Sequence, residues 1–534
     1  MLPSLRIAGA AIVVAGLLLG YQEASRGITA EEIRAHTQYL AQDELRGRAP
    51  GSRGGDLASD YIRAQFREMG LQPLGGSYFQ EVPLVGVTPD PATIDLAFEV
   101  DEGRLPLSYP SEAVIWPGAP LGSPVQVAAE LVFVGYGIHA PEWSWDDYDG
   151  RDVSGKVVVI LIGDPPAPPE EPDLFDGPAL TYYGRWTYKY EEARRRGAAG
   201  ALLVHADDAA GYGWSVVGSS WTGEQLVLPD AGDDPPVVLQ GWITQEAGRK
   251  ALGLAGLDLT ELYARAARRD FAPVRTGITV RAGMDGRTRT LSSRNVVAYR
   301  PGTSAEDVVM FTAHYDHLGV GPPVDGDSIY NGAYDNASGV ALLLEVAEAF
   351  AELEAGTRRG TVFMATTAEE AGLLGASHYV HNPLVPLERT LAVINVDGAN
   401  LWGETDDVVP LGAARSNLGR VVQPRADELG LQILPDPQPA EGAFFRSDHF
   451  AFARAGIPVL YIRHGLRFRD RPEGWGARRM EQWAMDNYHQ PSDEYHPELD
   501  FSGAVQQARL VFGIGYDIAD SDFVPEWDEG SPFR

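Results

Sequence analysis

The sequence predicts an α/β protein, a mostly parallel or mixed sheet with helices on both faces, with a second β-rich α/β domain inserted into it. Three observations lead there. Four runs, "VVMFTAHYD", "TVFMATTAEE", "LAVINVDG" and "IPVLYIRHG", are β-branched and apolar and turn polar or acidic at their C-terminal ends, the texture of strands buried on both faces. Helically spaced segments separate these runs. Between about Ala113 and Asp285 the texture changes to short strand-like runs with many Pro and Gly. At 534 residues the chain also exceeds the size at which a single core keeps growing.

Taken in order, Met1–Arg6 carries one Arg, and the fourteen residues Ile7–Gly20 are apolar. That is the length and order of a secretory leader, and short for a spanning helix. Gln22 stands where a cleavage site two residues before Ala24 wants a small residue, so an uncleaved anchor is the alternative. Residues 1–25 are therefore expected as leader or anchor, with the rest of the chain secreted or periplasmic. Residues 26–112 open the main domain. Thr29 and Glu32 make a capping box for a first helix, "RGRAPGSRGG" reads as a loop, and Leu57–Met69 as a second helix stopped at Gly70. Residues 113–285 form the inserted domain, where "GKVVVILIGD" is a buried strand and "YEEARRRGAAGALLVHAD" a helix feeding another. Residues 286–534 carry the four strands, with helices expected at Ala337–Leu353, Ala371–Tyr379, Ala414–Glu428, Asp448–Ala455 and Phe501–Ala519.

Composition removes several chemistries. A formal charge of −32 argues against binding nucleic acid through its phosphates and against anionic lipid, so no membrane contact is expected beyond the N-terminal anchor. With no cysteine, disulfides, thiol nucleophiles and Cys-held metals are excluded. No G-x-S-x-G occurs, so there is no signal of a serine hydrolase.

Ligands in open parallel sheets bind beyond the carboxyl ends of the strands, and there the chain places His314 and Asp316, Glu369 and Glu370, and Asp397. Asp335 heads a helix and His489 lies in "NYHQPSDEY". Each has a bland reading. Asp335 caps a helix, Glu-Glu lies on a helix surface, Asp-Gly is a turn, and His489 is a hydrogen-bonded surface histidine. Together they are harder to dismiss, because acids gathered at neighbouring strand ends repel unless cations neutralise them. Imidazoles and carboxylates suit zinc and related divalent ions. Five such ligands with one shared carboxylate are enough for two metals.

The series "HYDH", "GAYDNASG", "TTAEEAGLLGAS", "NVDG", "SDHFAFARAGIPVL" and "YHQPSDEY", in this order, closely resembles the co-catalytic zinc aminopeptidases of peptidase family M28. The family also holds glutamate carboxypeptidases, glutaminyl cyclases and the non-catalytic transferrin receptors. The resemblance extends to "LAQDELRGRAPGSRGG" and on to "YIRAQFREMGLQP". Leu131–Asp207 looks like the protease-associated domain inserted in such enzymes. The resemblance implies two Zn²⁺ per chain, other divalent ions being possible, with Asp335 bridging, His314 and Asp397 completing one site, and Glu370 and His489 the other. It makes Glu369 the general base and Asp316 and Asp493 the carboxylates that orient His314 and His489. It further implies a cis peptide between Asp335 and Asn336.

The expectation is a metallo-exopeptidase, an aminopeptidase acting on peptide or protein N-termini. The rival is a glutamate carboxypeptidase-type enzyme on the same site, for which Arg463, Arg467 and Arg469 would supply a carboxylate-binding patch. A receptor-like binding protein would have lost ligands, and all five are present. Tyr461 and His464 are candidates to donate to an oxyanion, Tyr461 equally to pack. Ser447 and Asp448 of "SDH" are expected to cap the following helix.

Overall fold

The structure is a computed structural model that describes residues 19–118, 124–229 and 237–534. The chain divides into two compact units. One takes the residues up to Val82, Ser292–Pro437 and Arg446–Arg534, the other Pro83–Leu291 and Gln438–Phe445.

The first unit is built on four adjacent parallel strands, β1 (Val308–His314), β2 (Gly360–Thr366), β3 (Thr390–Asn395) and β4 (Val459–His464). Their order is β2-β1-β3-β4, flanked by the antiparallel strands Gly286–Arg300 and Asp407–Leu411. All seven residues of β1 and of β2 are buried, which is why they read as continuous apolar runs with no alternation. On one face, Val309, Phe311 and Ala313 of β1 join a cluster with α3 (Gly339–Ala351) and α5 (Ser502–Ala519). Helix α4 (His449–Arg454) packs against β3 and β4, and its Phe452 meets Tyr379 of the helix Leu374–His381. The mixed sheet covered by helices agrees with the fold class read from the sequence.

At the N-terminal side, α1 (Ala30–Leu40) opens with the expected box. The Thr29 hydroxyl accepts from the Glu32 amide at 3.2 Å and donates to the Glu32 carboxylate at 2.7 Å. Helix α2 (Arg53–Glu68) begins four residues earlier than expected, because Ser52 accepts from the Gly55 amide and turns "RGG" into the first helical turn. Of the stretch expected as leader or anchor, residues up to 18 lie outside the described ones. Residues 19–27 are helical, and Tyr21 stacks on Phe512 with ring centroids 5.2 Å apart while Ala24 is buried. Among the described residues no helix is long and apolar enough to cross a membrane.

The second unit holds an eight-stranded sheet. Val125–Phe133, Val157–Leu161, Gly200–His205 and Leu239–Thr244 run parallel at its centre. It begins at Pro83 and not near 113, because Asp95–Val100 pairs with Val274–Met284, about 180 residues later in the chain. Such a pairing leaves no local signature in the sequence.

Candidate metal centre

The ends of β1, β2 and β3 deliver His314, the Glu369-Glu370 pair and Asp397 to one place, and the turn before α3 delivers Asp335. This turn is one round of π-helix, Ala333–Ser338, entered from Gly332 at φ +59. A Cβ on Gly332 would lie 2.2 Å from the Asp335 carbonyl oxygen and 2.6 Å from the His317 ring, so no larger residue fits. The peptide between Asp335 and Asn336 is cis. The Asn336 side chain fastens the turn by accepting from Gly339 and Gly398 amides and donating to the Val396 carbonyl.

Asp335 points one oxygen at each of two histidines. Its Oδ1 lies 3.3 Å from His314 Nε2 and its Oδ2 lies 3.4 Å from His489 Nε2. His314 Nε2 is also 3.3 Å from Asp397 Oδ1, and His489 Nε2 is 3.1 Å from Glu370 Oε2. The five residues thus divide into two halves that share Asp335. Ligand atoms of His314, Asp335 and Glu370 lie within 4.8 Å of one another, as do those of His314, Glu369 and Asp397.

Those separations suit a metal. Around a tetrahedral ion held at about 2.0–2.1 Å, neighbouring ligand atoms stand about 3.3 Å apart. The donor set of imidazole nitrogens and carboxylate oxygens is the one zinc takes in a cysteine-free protein.

Electrostatics agree. Among the described residues no Lys or Arg forms an ion pair with Asp335, Glu369, Glu370 or Asp397. Burial works against charge on His314, yet the Glu369 and Asp397 carboxylates push its pKa well above the usual imidazole value. His489 is raised likewise against burial, first by Glu370. Burial opposes ionisation of Asp335 too, but hydrogen bonds with His314 and His489 hold it well below the ordinary carboxylate range. Glu369 is different. Burial lifts its carboxyl well above the usual value, the positive field of His314 opposes this, and Asp397, Glu370 and Asp448 add to the rise. The carboxylates pull positive charge onto the imidazoles, a demand that a divalent cation meets without protons.

Residues 295–512 match the model of Peptidase family M28. That stretch of the chain is similar to this family. It is 29% identical over 208 residues to Aminopeptidase YwaD of Bacillus subtilis, 38% of this chain and 40% of that relative. It is 24% identical over 372 residues to the Probable lipoprotein aminopeptidase LpqL of Mycobacterium tuberculosis, 66% of this chain and 60% of the relative. The matches thus span less than two thirds of these relatives' own lengths. The solved structure titled Aminopeptidase from Aneurinibacillus sp. strain AM-1 shares the fold, with TM-score 0.54 and 20% identity over 94% of this chain and 97% of that one.

Around the centre several residues differ from their expected tasks. The Asp316 carboxylate accepts from the backbone amides of Glu369 at 3.1 Å and Glu370 at 3.4 Å. It is the Asp316 carbonyl that lies 3.2 Å from His314 Nδ1. Asp493 does not hold His489; its two oxygens accept from the amides of Tyr334 and Asp335, each at 3.0 Å. Ser447 and Asp448 do not cap α4, whose start has no side-chain cap. Asp448 accepts from the Thr366 hydroxyl at the end of β2, and Ser447 accepts from Asn395 at 2.9 Å at the end of β3. Both turn inward and tie the strand ends together. Tyr461 donates to the Asp397 carbonyl at 2.9 Å. His464 lies between the Gly465 carbonyl at 2.8 Å and Tyr334 Oη at 3.3 Å, and burial lowers its pKa to about 4. Arg467 and Arg469 pair with Asp407 and Asp406, and Arg463 lies 3.9 Å from Asp436, so each of the three faces an acid.

Sequence reasoning missed His317. It is buried, with Nδ1 2.6 Å from Glu370 Oε1. Its signal was the second histidine of "HYDH", one residue beyond Asp316 on the same strand end.

Proposed function

We propose that this chain is a zinc-dependent exopeptidase that removes residues from peptide and protein N-termini, with Asp335 placed to serve two Zn²⁺ ions. His314 and Asp397 would hold one ion, and Glu370 and His489 the other. The observation that carries this reading is the split of Asp335, one oxygen toward each histidine at 3.3 and 3.4 Å, with Glu369 on the same centre. The aminopeptidase names of the relatives support the choice of substrate end. The three arginines that would favour a carboxypeptidase each face an acid.

When bound, the metals polarise the scissile carbonyl and activate water for attack on it. The chain's own residues do the rest. Glu369, a carboxylate on the same centre that is no member of the proposed ligand set, takes the proton of the attacking water and returns it to the leaving amine nitrogen. Asp316 holds Glu369 and Glu370 through their amides, Asp493 holds Asp335 through its own, and His317 fixes one oxygen of Glu370 so that the other faces His489. The second unit is read as a protease-associated domain, supported by the buried strand Val157–Leu161 and the step from the helix Trp186–Arg195 to Gly200–His205. The N-terminal apolar run supports a secreted or periplasmic site of action.

The test pairs metal analysis with substrate choice. Purified protein should carry two zinc ions and hydrolyse leucine p-nitroanilide but not an N-blocked dipeptide. Glu369→Gln should keep its zinc and lose on the order of 10²- to 10⁴-fold in kcat. A fully zinc-loaded chain that cleaves only the blocked dipeptide returns the carboxypeptidase reading, and one that cleaves neither returns the receptor-like one.

A further inference from the structure

Arg48 sits in the loop after α1 and is fully buried, which is rare for a guanidinium. Its hydrogen bonds go to main-chain carbonyls. Nε donates to Tyr315 at 2.7 Å, Nη1 to Leu40 at 2.6 Å and Asn331 at 2.5 Å, and Nη2 to Gly332 at 3.0 Å. Tyr315 stands between His314 and Asp316, and Gly332 opens the turn that carries Asp335. One rigid planar fork therefore joins the end of β1 to the turn of the shared carboxylate.

The loop is bent hard to achieve this. Arg46 and Arg48 have φ of 48° and 52°, a left-handed conformation that is strained for non-glycine residues and persists only where the surroundings enforce it. Asn331 holds the loop from the other side, its Nδ2 donating to the Ala41 carbonyl at 2.8 Å and to Asp43 Oδ1 at 2.9 Å. Among the described residues Arg48 makes no ion pair. Burial lowers its pKa to about 10, and the surrounding carboxylates of Asp316, Asp493, Asp335 and Glu370 oppose that fall, so the guanidinium stays charged at neutral pH.

We propose that Arg48 is a positioning residue of the metal centre, fixing the spacing between His314 and Asp335 through their neighbouring carbonyls and placing a permanent positive charge behind the carboxylates. This rests on the zinc reading above. Arg48 touches neither substrate nor metal, so its effect is on how well the ligands are held before metal arrives.

The experiment measures zinc dissociation constants by competition with a chromophoric chelator, and melting temperatures with and without zinc, for wild type, Arg48→Lys and Arg48→Gln. Arg48→Gln should bind zinc about 10- to 100-fold more weakly, shrinking the gain in melting temperature on zinc loading, while KM at saturating zinc stays near wild type. Arg48→Lys keeps the charge without the fork and should fall between. Equal melting losses with and without zinc, at wild-type zinc affinity, overturn the proposal. So does failure of both variants to fold, which makes Arg48 a folding determinant. Wild type that binds no zinc sinks the underlying reading instead.

Discussion

In the unit formed by Pro83–Leu291 and Gln438–Phe445, Lys189 is fully buried, donating to the Gly163 carbonyl at 3.0 Å. Burial lowers its pKa to about 8, and Asp164 and Asp147 oppose the fall. The acids in turn are tied down, Asp147 by the Ile138 amide and the Trp145 indole and Asp164 by Thr181. The other unit gathers Asp335, Glu369, Glu370 and Asp397 with two histidines and brings no lysine to them. Its fully buried Arg48, behind these carboxylates, is occupied by carbonyls. The first cluster carries its own cation and is finished when the chain folds. The second is over-supplied with negative charge, and that imbalance is what a metal centre needs.

The comparison breaks most visibly at the shared acid. Asp335→Ala should strip bound zinc and lower kcat/KM by about 10³-fold or more, on the order of 4 kcal/mol of transition-state stabilisation; retention of both by metal analysis and assay would remove the contrast. In the other unit, Lys189→Met leaves a buried carboxylate without its counter-charge and should cost about 3 kcal/mol by denaturant unfolding, with zinc content unchanged. A variant as stable as wild type would show that Asp147 is neutral without help from the lysine.

The pH response sharpens this point. Burial lifts the Asp147 pKa to about 7, although the Ile138 and Trp145 hydrogen bonds pull the other way. An unfolded Asp releases its proton near about 3.9, so between about pH 4 and 7 the folded chain holds the additional proton. Stability from this group therefore falls as pH rises through that window. Lys189 acts higher. The folded chain loses its proton near about pH 8 and the unfolded chain near about 10.4, so this contribution rises with pH across that interval. Melting curves from pH 4.5 to 7.5 should show a shallower decline in Asp147→Asn than in wild type, and parallel curves would count against the assignment. The smallest effect is Thr181→Val, which removes the 2.8 Å hydrogen bond to Asp164 and the 3.1 Å one accepted from the Tyr183 amide and should cost about 1–2 kcal/mol.

Legibility in the sequence followed the range of the interactions. The four parallel strands were readable because each is largely buried and its apolar run turns polar or charged at or just beyond its C-terminal end. Helix α3 was readable because its apolar run is long, and the Thr29 box because its two partners are three residues apart. The candidate ligands were readable as strand-end acids and through the family motifs. What escaped depends on distant pairs. Asp493 finds Asp335 across 158 positions and Arg48 finds Gly332 across 284, and no periodicity announces either. Asp448 looked like a cap because caps are local, yet its acceptor role is filled by Thr366, 82 residues away.

The scatter of the centre along the chain also sets a schedule. Arg48 is made first, His314 to Asp397 more than 260 residues later, and His489 and Asp493 some 90 residues after that. A ribosome must release the chain through His489 before that histidine can meet the shared carboxylate. With the proposed ligand set, a growing chain has no complete centre with which to cut its neighbours until both halves of the fold's strand-end cluster and the His489 loop have been made and brought together.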